Sequence, residues 1–416
     1  MLEFFTNPIL RAPTIGCMLM CFSAGLIGCL VFLQKRSLVG ESLSHAAYPG
    51  VVIAIFFSAV FFPFSEEGAA LSIMLGAFIS GLLGLVAISQ LQKRLKISSD
   101  AALCFVLSIF FGIGVLIASH LQVTHALWFR QIQVFLFGQA ATMVDAHITL
   151  YAALTTAVLT AVILLFRFLE ILNFDPDFAK SVRVRTTLID GIMSLLLVLA
   201  IVVGMRCVGV VLMSAMLIAP AVAARQWTKK LGSFFALSGL IGALSGFLGN
   251  AFSLWIPKWS GQPHLALPTG PMIVLTAAAL ALFSLLFAPQ KGFVTRMLRI
   301  TRFRIRCKQE NLLKALYKGQ TPPMHTWLHF RMRMKGWIRN GELTALGQKE
   351  GENLVRLHRL WEVYLVHMGQ GEDRVHHNAE EMEHILTPEI ESQLQSLLNH
   401  PQTDPHAQPI PKGGRL

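Results

Sequence analysis

Nine stretches of this 416-residue chain are apolar for long enough to cross a lipid bilayer, and nothing else in it restricts the fold so strongly. A hydrocarbon core of about 30 Å needs roughly 17–25 such residues in one helix. The segments are 14–34, 43–63, 69–91, 101–119, 146–168, 188–206, 208–226, 232–255 and 270–288. Segment 121–145 is shorter and mixed, and reads as a partial or re-entrant helix. The expected fold is all-α, a polytopic bundle of about nine transmembrane helices followed by a small helical domain.

Charge divides the chain. Only 14% of its residues are charged, against about 25% in a soluble domain. Residues 1–308 hold 23 Lys/Arg and 10 Asp/Glu, whereas residues 309–416 hold 12 and 13, so an apolar basic module meets an ordinary polar one near residue 300. Basic residues fall in alternate connections, 19 on one side and four on the other (Arg11, Arg130, Arg206 and Lys258). By the positive-inside rule the N-terminus faces out and the polar module faces the cytoplasm. Glu66, Glu67, Trp255 and Trp259 suit the outer interface. The first apolar run has no convincing cleavage site, so no signal peptide is expected. Cys17, Cys21, Cys29, Cys104 and Cys207 lie in apolar stretches without CxxC pairing, as small buried hydrophobes would. Nine helices with short loops point to a transporter or channel. The chain has no GxxxxGK[ST] motif, so a nucleotide-driven engine would be a separate chain, and no enzymatic activity is expected of this one.

Ionisable groups inside spans are costly and usually functional. The candidates are Glu41, His45, Asp100, Asp145, Asp190 and Arg206. Glu41 and His45, in LVGESLSHAAYPG (38–50), sit at i and i+4 on one helix face, and a carboxylate with an imidazole suits zinc, manganese or ferrous iron. Spacing alone equally allows a helix-end acid beside a core histidine bonded to a carbonyl. His120, His125, His147 and His264, near outer ends of spans, read as scattered surface histidines, with a metal relay as the alternative. Gly204, Gly209, Pro220, Gly242, Gly246 and Gly249 would permit close helix packing or bends.

These motifs resemble the ABC-3 family, the permeases of bacterial manganese, zinc and iron importers. LVGESLSHAAYPG is similar to its Asp-x2-Ser-His-x3-Pro-Gly signature. Asp100-Ala101, Leu136-Phe137-Gly138, Phe174-Asp175-Pro176, Phe178-Ala179, VGVVLMSAMLIAPAVAAR (208–225) and LPTGPMIVL (267–275) follow in order, so the resemblance covers about 1–290. It implies two permease subunits forming a pore, a cytoplasmic ATPase, an extracytoplasmic metal-binding protein, and a site in a bacterial inner membrane. It places the pore metal on Glu41 and His45, although the family's acid is usually Asp; Glu keeps the charge and reaches one methylene further. The connection 169–187, with Phe174, Asp175, Pro176, Asp177, Phe178 and Ala179, corresponds to the family's ATPase-coupling helix; a plain solvated loop is the alternative.

The basic stretch 291–308 is amphipathic and directly follows the last span, a position that favours anionic lipid over nucleic acid. In the polar module, 309–416, helical spacing recurs over 350–369 and 376–398. Glu380, Glu383 and His384 share one helix face, and with His358 they make a set apt for a divalent first-row metal; a solvated acidic helix is the alternative. RLHRLWEVYL, AEEMEH and LLNHPQTDPHAQPIP resemble the DtxR/MntR family of metal-dependent repressors over about 342–411. That resemblance implies His358, Glu380, Glu383 and His384 as metal ligands. Upstream, Asn311 and Lys314 stand where acidic ligands are expected, and the roughly 30 residues before Leu343-Thr344 are too few for a full winged helix-turn-helix. The expected protein is a metal-ion ABC permease whose tail senses metal; the alternative is a membrane-tethered or released repressor, with DNA as partner, and the shortened reading region argues against it.

Overall fold

Asn7 opens the first long helix: its side chain accepts the Ile9 N–H at 3.0 Å, and Pro8 occupies the first turn, where its missing N–H costs no hydrogen bond. The computed structural model describes residues 3–61, 66–124, 126–174, 176–181, 186–261, 267–320, 326–371, 379, 382, 384 and 388–412. They form two compact units, Met1–Thr295 and Arg296–Leu416.

The first unit runs α1 (Glu3–Thr6), α2 (Pro8–Leu33), α3 (Leu38–Phe61), α4 (Glu66–Lys93), α5 (Ser99–Thr124), α6 (Ala126–Phe137), a 3₁₀ turn (Ala140–Thr142), α7 (Asp145–Phe174), α8 (Pro176–Ser181), α9 (Thr186–Val208), α10 (Val210–Trp227), α11 (Leu231–Trp259) and α12 (Thr269–Phe287). Among the described residues nine helices are long and apolar enough to cross a membrane, matching the nine segments expected. Helix α6 has 12 residues, about 18 Å at 1.5 Å per residue, and cannot cross, as its mixed composition implies. Helix α3 begins at Leu38, so the polar patch forms its first turns rather than a loop before a span.

Small residues set the packing. In membranes, where lipid is as apolar as leucine, helices associate through close backbone approach and interhelical hydrogen bonds. Ser238, Gly242 and Gly246 recur at every fourth position along α11 and face α2. Ser238 Oγ donates to the Gly25 carbonyl at 2.8 Å, and a Cβ on Gly246 would lie 2.6 Å from the Cys17 carbonyl. Helices α3 and α4 meet the same way: a Cβ on Gly76 would lie 2.6 Å from the Gly50 carbonyl, and Ser80 Oγ donates to the Ala46 carbonyl at 2.6 Å. Gly209 separates α9 from α10 with φ of 96°, a conformation that L side chains rarely adopt, and a Cβ there would lie 2.5 Å from the Leu136 carbonyl. Beside it, the Gln139 N–H donates to the Arg206 carbonyl at 3.0 Å and the Ala140 N–H to Thr269 Oγ1 at 2.8 Å. The end of α6 is thus seated on the junction of α9, α10 and α12. None of the six cysteines is in a disulfide; Cys104 is exposed rather than buried, because it faces outward from α5, while Cys17, Cys21, Cys29 and Cys207 are buried.

In the second part of the chain α13 (Phe293–Tyr317) makes the basic stretch 291–308 largely helical and runs on into the polar module. It is followed by α14 (Thr326–Met334), the antiparallel pair β1 (Ile338–Arg339) and β2 (Glu342–Leu343), α15 (Ala345–His367) and α16 (Pro388–Leu397). The hairpin was not expected. Its Asn340-Gly341 loop takes φ of 51° and 90°, positive at both residues as a type I′ turn requires. Thr344 then caps α15, accepting the Gly347 N–H at 3.1 Å. Leu312, Leu313, Met332, Ile338 and Leu354 make the core. Among the described residues a single helix, α14, stands between α13 and the hairpin.

Candidate functional site

Glu41 and His45 lie one turn apart on α3, both half-buried. Three hydroxyls fix that helix. Ser44 Oγ donates to the Gly40 carbonyl at 2.7 Å, Ser42 Oγ to Leu103 of α5 at 3.0 Å, and Ser80 of α4 closes the third contact. Pro49 lacks an N–H and cannot donate to the His45 carbonyl, which loosens the helix where the imidazole sits. The ring packs edge-on against Phe111 of α5, centroids 4.6 Å apart at 72°, and Tyr48 leans on the same phenyl at 5.4 Å. Among the described residues the buried His45 Nδ1 has no hydrogen-bond partner. Buried polar atoms are nearly always satisfied, so this nitrogen is open to a further partner.

The other ionisable candidates go elsewhere. Arg11 pairs with Asp145 at 2.5 Å, and Arg206 Nη2 donates to the Thr142 carbonyl at 3.4 Å. Asp100 is in the first turn of α5; Asp190, on α9, lines a cavity with Arg36 and Lys93. His147 accepts the Val144 N–H at 3.1 Å and His120 is exposed, so neither joins the α3 pair. His125 and His264 lie outside the described residues. In the coupling stretch, α7 ends at Phe174 and Pro176 opens α8, which exposes Asp177 and Phe178 and buries Ala179; Asp175 lies outside the described residues.

In the second unit His358 of α15 is 3% exposed, its Nε2 3.2 Å from the Oε1 of Glu362 one turn on. His384 is 6% exposed, and its Nδ1 lies 2.7 Å from Oε2 of Glu310 on α13. Burial alone would raise the Glu310 carboxyl, but hydrogen bonds and charge from His384 and Arg306 outweigh it and hold it below the usual carboxylate range. Glu380 and Glu383 lie outside the described residues. Among the described residues no three His, Cys, Asp or Glu side chains converge as a metal cluster; His358 meets Glu362 and His384 meets Glu310. Two buried imidazoles, each against a carboxylate, are the donor chemistry that first-row metals take. Glu310 and Glu362 escaped the sequence reading. Glu362 could have been found, since it follows His358 by one turn; Glu310 meets a residue 74 positions away and leaves no local signal. Arg359 also meets the terminal segment, pairing with Asp404 at 3.3 Å and donating to the Pro409 carbonyl; Asp404 Oδ1 accepts the N–H of His406 and of Gln408.

The family profile described as "ABC 3 transport family" matches residues 6–288. The chain belongs to that family. A second profile, "Iron dependent repressor, metal binding and dimerisation domain", matches residues 344–412. Both resemblances read from the motifs are therefore upheld, and with nine spans the chain is a multi-pass membrane protein. A "Probable metal transport system membrane protein" of Chlamydia trachomatis is 34% identical over 99% of this chain and 98% of its own length. The "Manganese transport system membrane protein MntC" of Bacillus subtilis is 32% identical over 85% of this chain and 83% of its own. The "Zinc transport system membrane protein TroC" of Treponema pallidum is 34% identical over 73% and 96%. Among solved structures, PsaBC from Streptococcus pneumoniae in complex with Fab shares 27% identity and a TM-score of 0.58, covering 72% of this chain and 97% of that one.

Proposed function

We propose that this chain is the membrane-spanning subunit of an ABC importer that carries a divalent first-row transition metal (manganese, zinc or iron) into the cytoplasm. The observation that carries the reading is the α3 face: a carboxylate and, one turn on, a buried imidazole nitrogen without a protein partner. A permease must bind its ion weakly enough to release it. Two side-chain ligands on one helix, Glu41 and His45, with the rest of the shell filled by water or a facing copy, meet that need. Glu41→Gln and His45→Ala should each abolish uptake of radiolabelled manganese, zinc or iron while the protein still reaches the membrane. Uptake at the wild-type rate in both would remove the site.

The remaining parts follow the same division, with a permease at 1–290, a basic connection at 291–308 and a sensing domain at 309–416. A second permease copy or paralogue completes the pore, a separate ATPase drives it, and an extracytoplasmic metal-binding protein supplies it. The short helix α8 offers the ATPase an exposed Phe178 and Asp177. In the tail, the metal is held by His358 and His384 together with Glu380 and Glu383. With Nδ1 of His384 engaged by Glu310, ligation by this residue goes through Nε2, and Glu310 orients the ring as carboxylates do behind metal-bound histidines. Metal in the tail regulates import by favouring one state of the transporter, which requires that the two states bind it with different affinity. Glu380→Ala/His384→Ala should then release transport from inhibition by internal metal; inhibition as in the wild type would exclude the sensor role.

A further inference from the structure

Away from the α3 face, the described residues of the first unit enclose a cavity of about 390 Å³ where α2, α3, α4 and α9 come together. Its two ends differ in chemistry. The floor lies within the spans and is apolar, formed by Leu30, Ile88 and Leu197 among others. The mouth lies at one end of the bundle, where α2 and α4 stop and α9 starts, and it carries Arg36, Lys93 and Asp190. Both cations bear electrostatically on Asp190, yet among the described residues neither Arg36 nor Lys93 forms an ion pair. Gln34, Gln92 and Ser99 add neutral polar groups around them.

Two positive charges against one negative leave the mouth net positive, so a divalent cation would be repelled there more than held. A monoanionic phosphodiester has the right charge for the surplus. A soluble phosphate would use the mouth and leave the floor unused, whereas an amphiphile uses both. Basic pockets between membrane helices hold lipid headgroups for this reason. We propose that this cavity binds one anionic phospholipid, its phosphodiester at Arg36 and Lys93 and an acyl chain along the apolar floor. The site is separate from Glu41 and His45 and does not depend on what the permease carries.

The test is native mass spectrometry of the full-length protein in mild detergent, titrated with phosphatidylglycerol or phosphatidylcholine. One phosphatidylglycerol per chain should be retained in preference to phosphatidylcholine. Arg36→Gln/Lys93→Gln should lower its affinity roughly tenfold or more, from the loss of two basic contacts. Asp190→Asn should raise retention, because the competing carboxylate is gone; a misfolded variant cannot produce a gain. Arg296→Gln/Arg299→Gln, on α13, should leave the retained lipid in place. The proposal is overturned by equal retention of the two lipids, by undiminished retention in the double Arg36/Lys93 variant, or by a fall or no change in Asp190→Asn. Loss of the lipid in the α13 variant would place it on the basic helix instead. Displacement by millimolar glycerol phosphate would make the mouth a soluble-anion site and overturn the lipid assignment.

Discussion

Replacing Glu310 by glutamine tests the tail at a contact between residues 74 positions apart in the sequence. The carboxylate and His384 meet at 2.7 Å, with side chains 6% and 4% exposed, so the contact is a desolvated, charge-assisted hydrogen bond. Such bonds contribute about 1.5–3 kcal/mol. The second partner, Arg306, is 48% exposed and adds little, on the order of 0–1 kcal/mol after solvent screening. Glu310→Gln keeps the shape and a weaker hydrogen bond, so it should destabilise the tail by about 1–2 kcal/mol, whereas Glu310→Ala strands a buried imidazole and should cost about 3–5 kcal/mol. Native-state hydrogen exchange on the full-length protein reads this directly: amides of α15 and the last turns of α13 should lose protection, those of α2 and α11 should not. The pH dependence has a definite sign. The folded carboxyl sits below its unfolded value of about 4.3, so its contribution is present above that value and is lost as pH falls through the folded one. Protection in the wild type should therefore converge on that of Glu310→Gln in acid. Equal protection at neutral pH, or a gap that persists in acid, would refute the pairing. If Glu310 orients a metal-bound His384, the glutamine variant should also lose about 10–100-fold in tail metal affinity.

Glu41→Asp restores the family's usual acid and shortens the reach by one methylene; competition uptake should show transport retained with an altered preference among manganese, zinc and iron. Phe178→Ala on α8 should weaken ATPase docking by about 2 kcal/mol, roughly 30-fold, as loss of an interface aromatic does, read as binding of the ATPase to the reconstituted permease. Gly246→Leu would drive a side chain into the Cys17 carbonyl; overpacking of about 1–3 kcal/mol or more should appear as a lowered melting temperature in detergent. Arg359→Ala should release the segment around Asp404 and Pro409 from α15, detected as faster proteolysis between residues 398 and 412.

Much of this protein is local in its chemistry and so could be read from the chain. A span is a run of apolar residues whose backbone satisfies itself, so nine of them are visible without knowing their neighbours, and α6 is visibly too short. Glu41 and His45 are one helical turn apart whatever surrounds them, and the family motifs are contiguous strings. Tertiary structure decided what lies across from each helix. Gly246 reads as a packing residue, yet that its partner is the Cys17 carbonyl follows only from how α11 sits on α2. The hairpin at Asn340-Gly341 carried a local turn signal that helical periodicity on either side obscured. Glu310 with His384, and Arg36 with Lys93 and Asp190, are distant in sequence and carry no period that would join them. Their proximity comes from helix packing, where a single bond between remote residues is specified by the whole interface rather than by the two residues that make it.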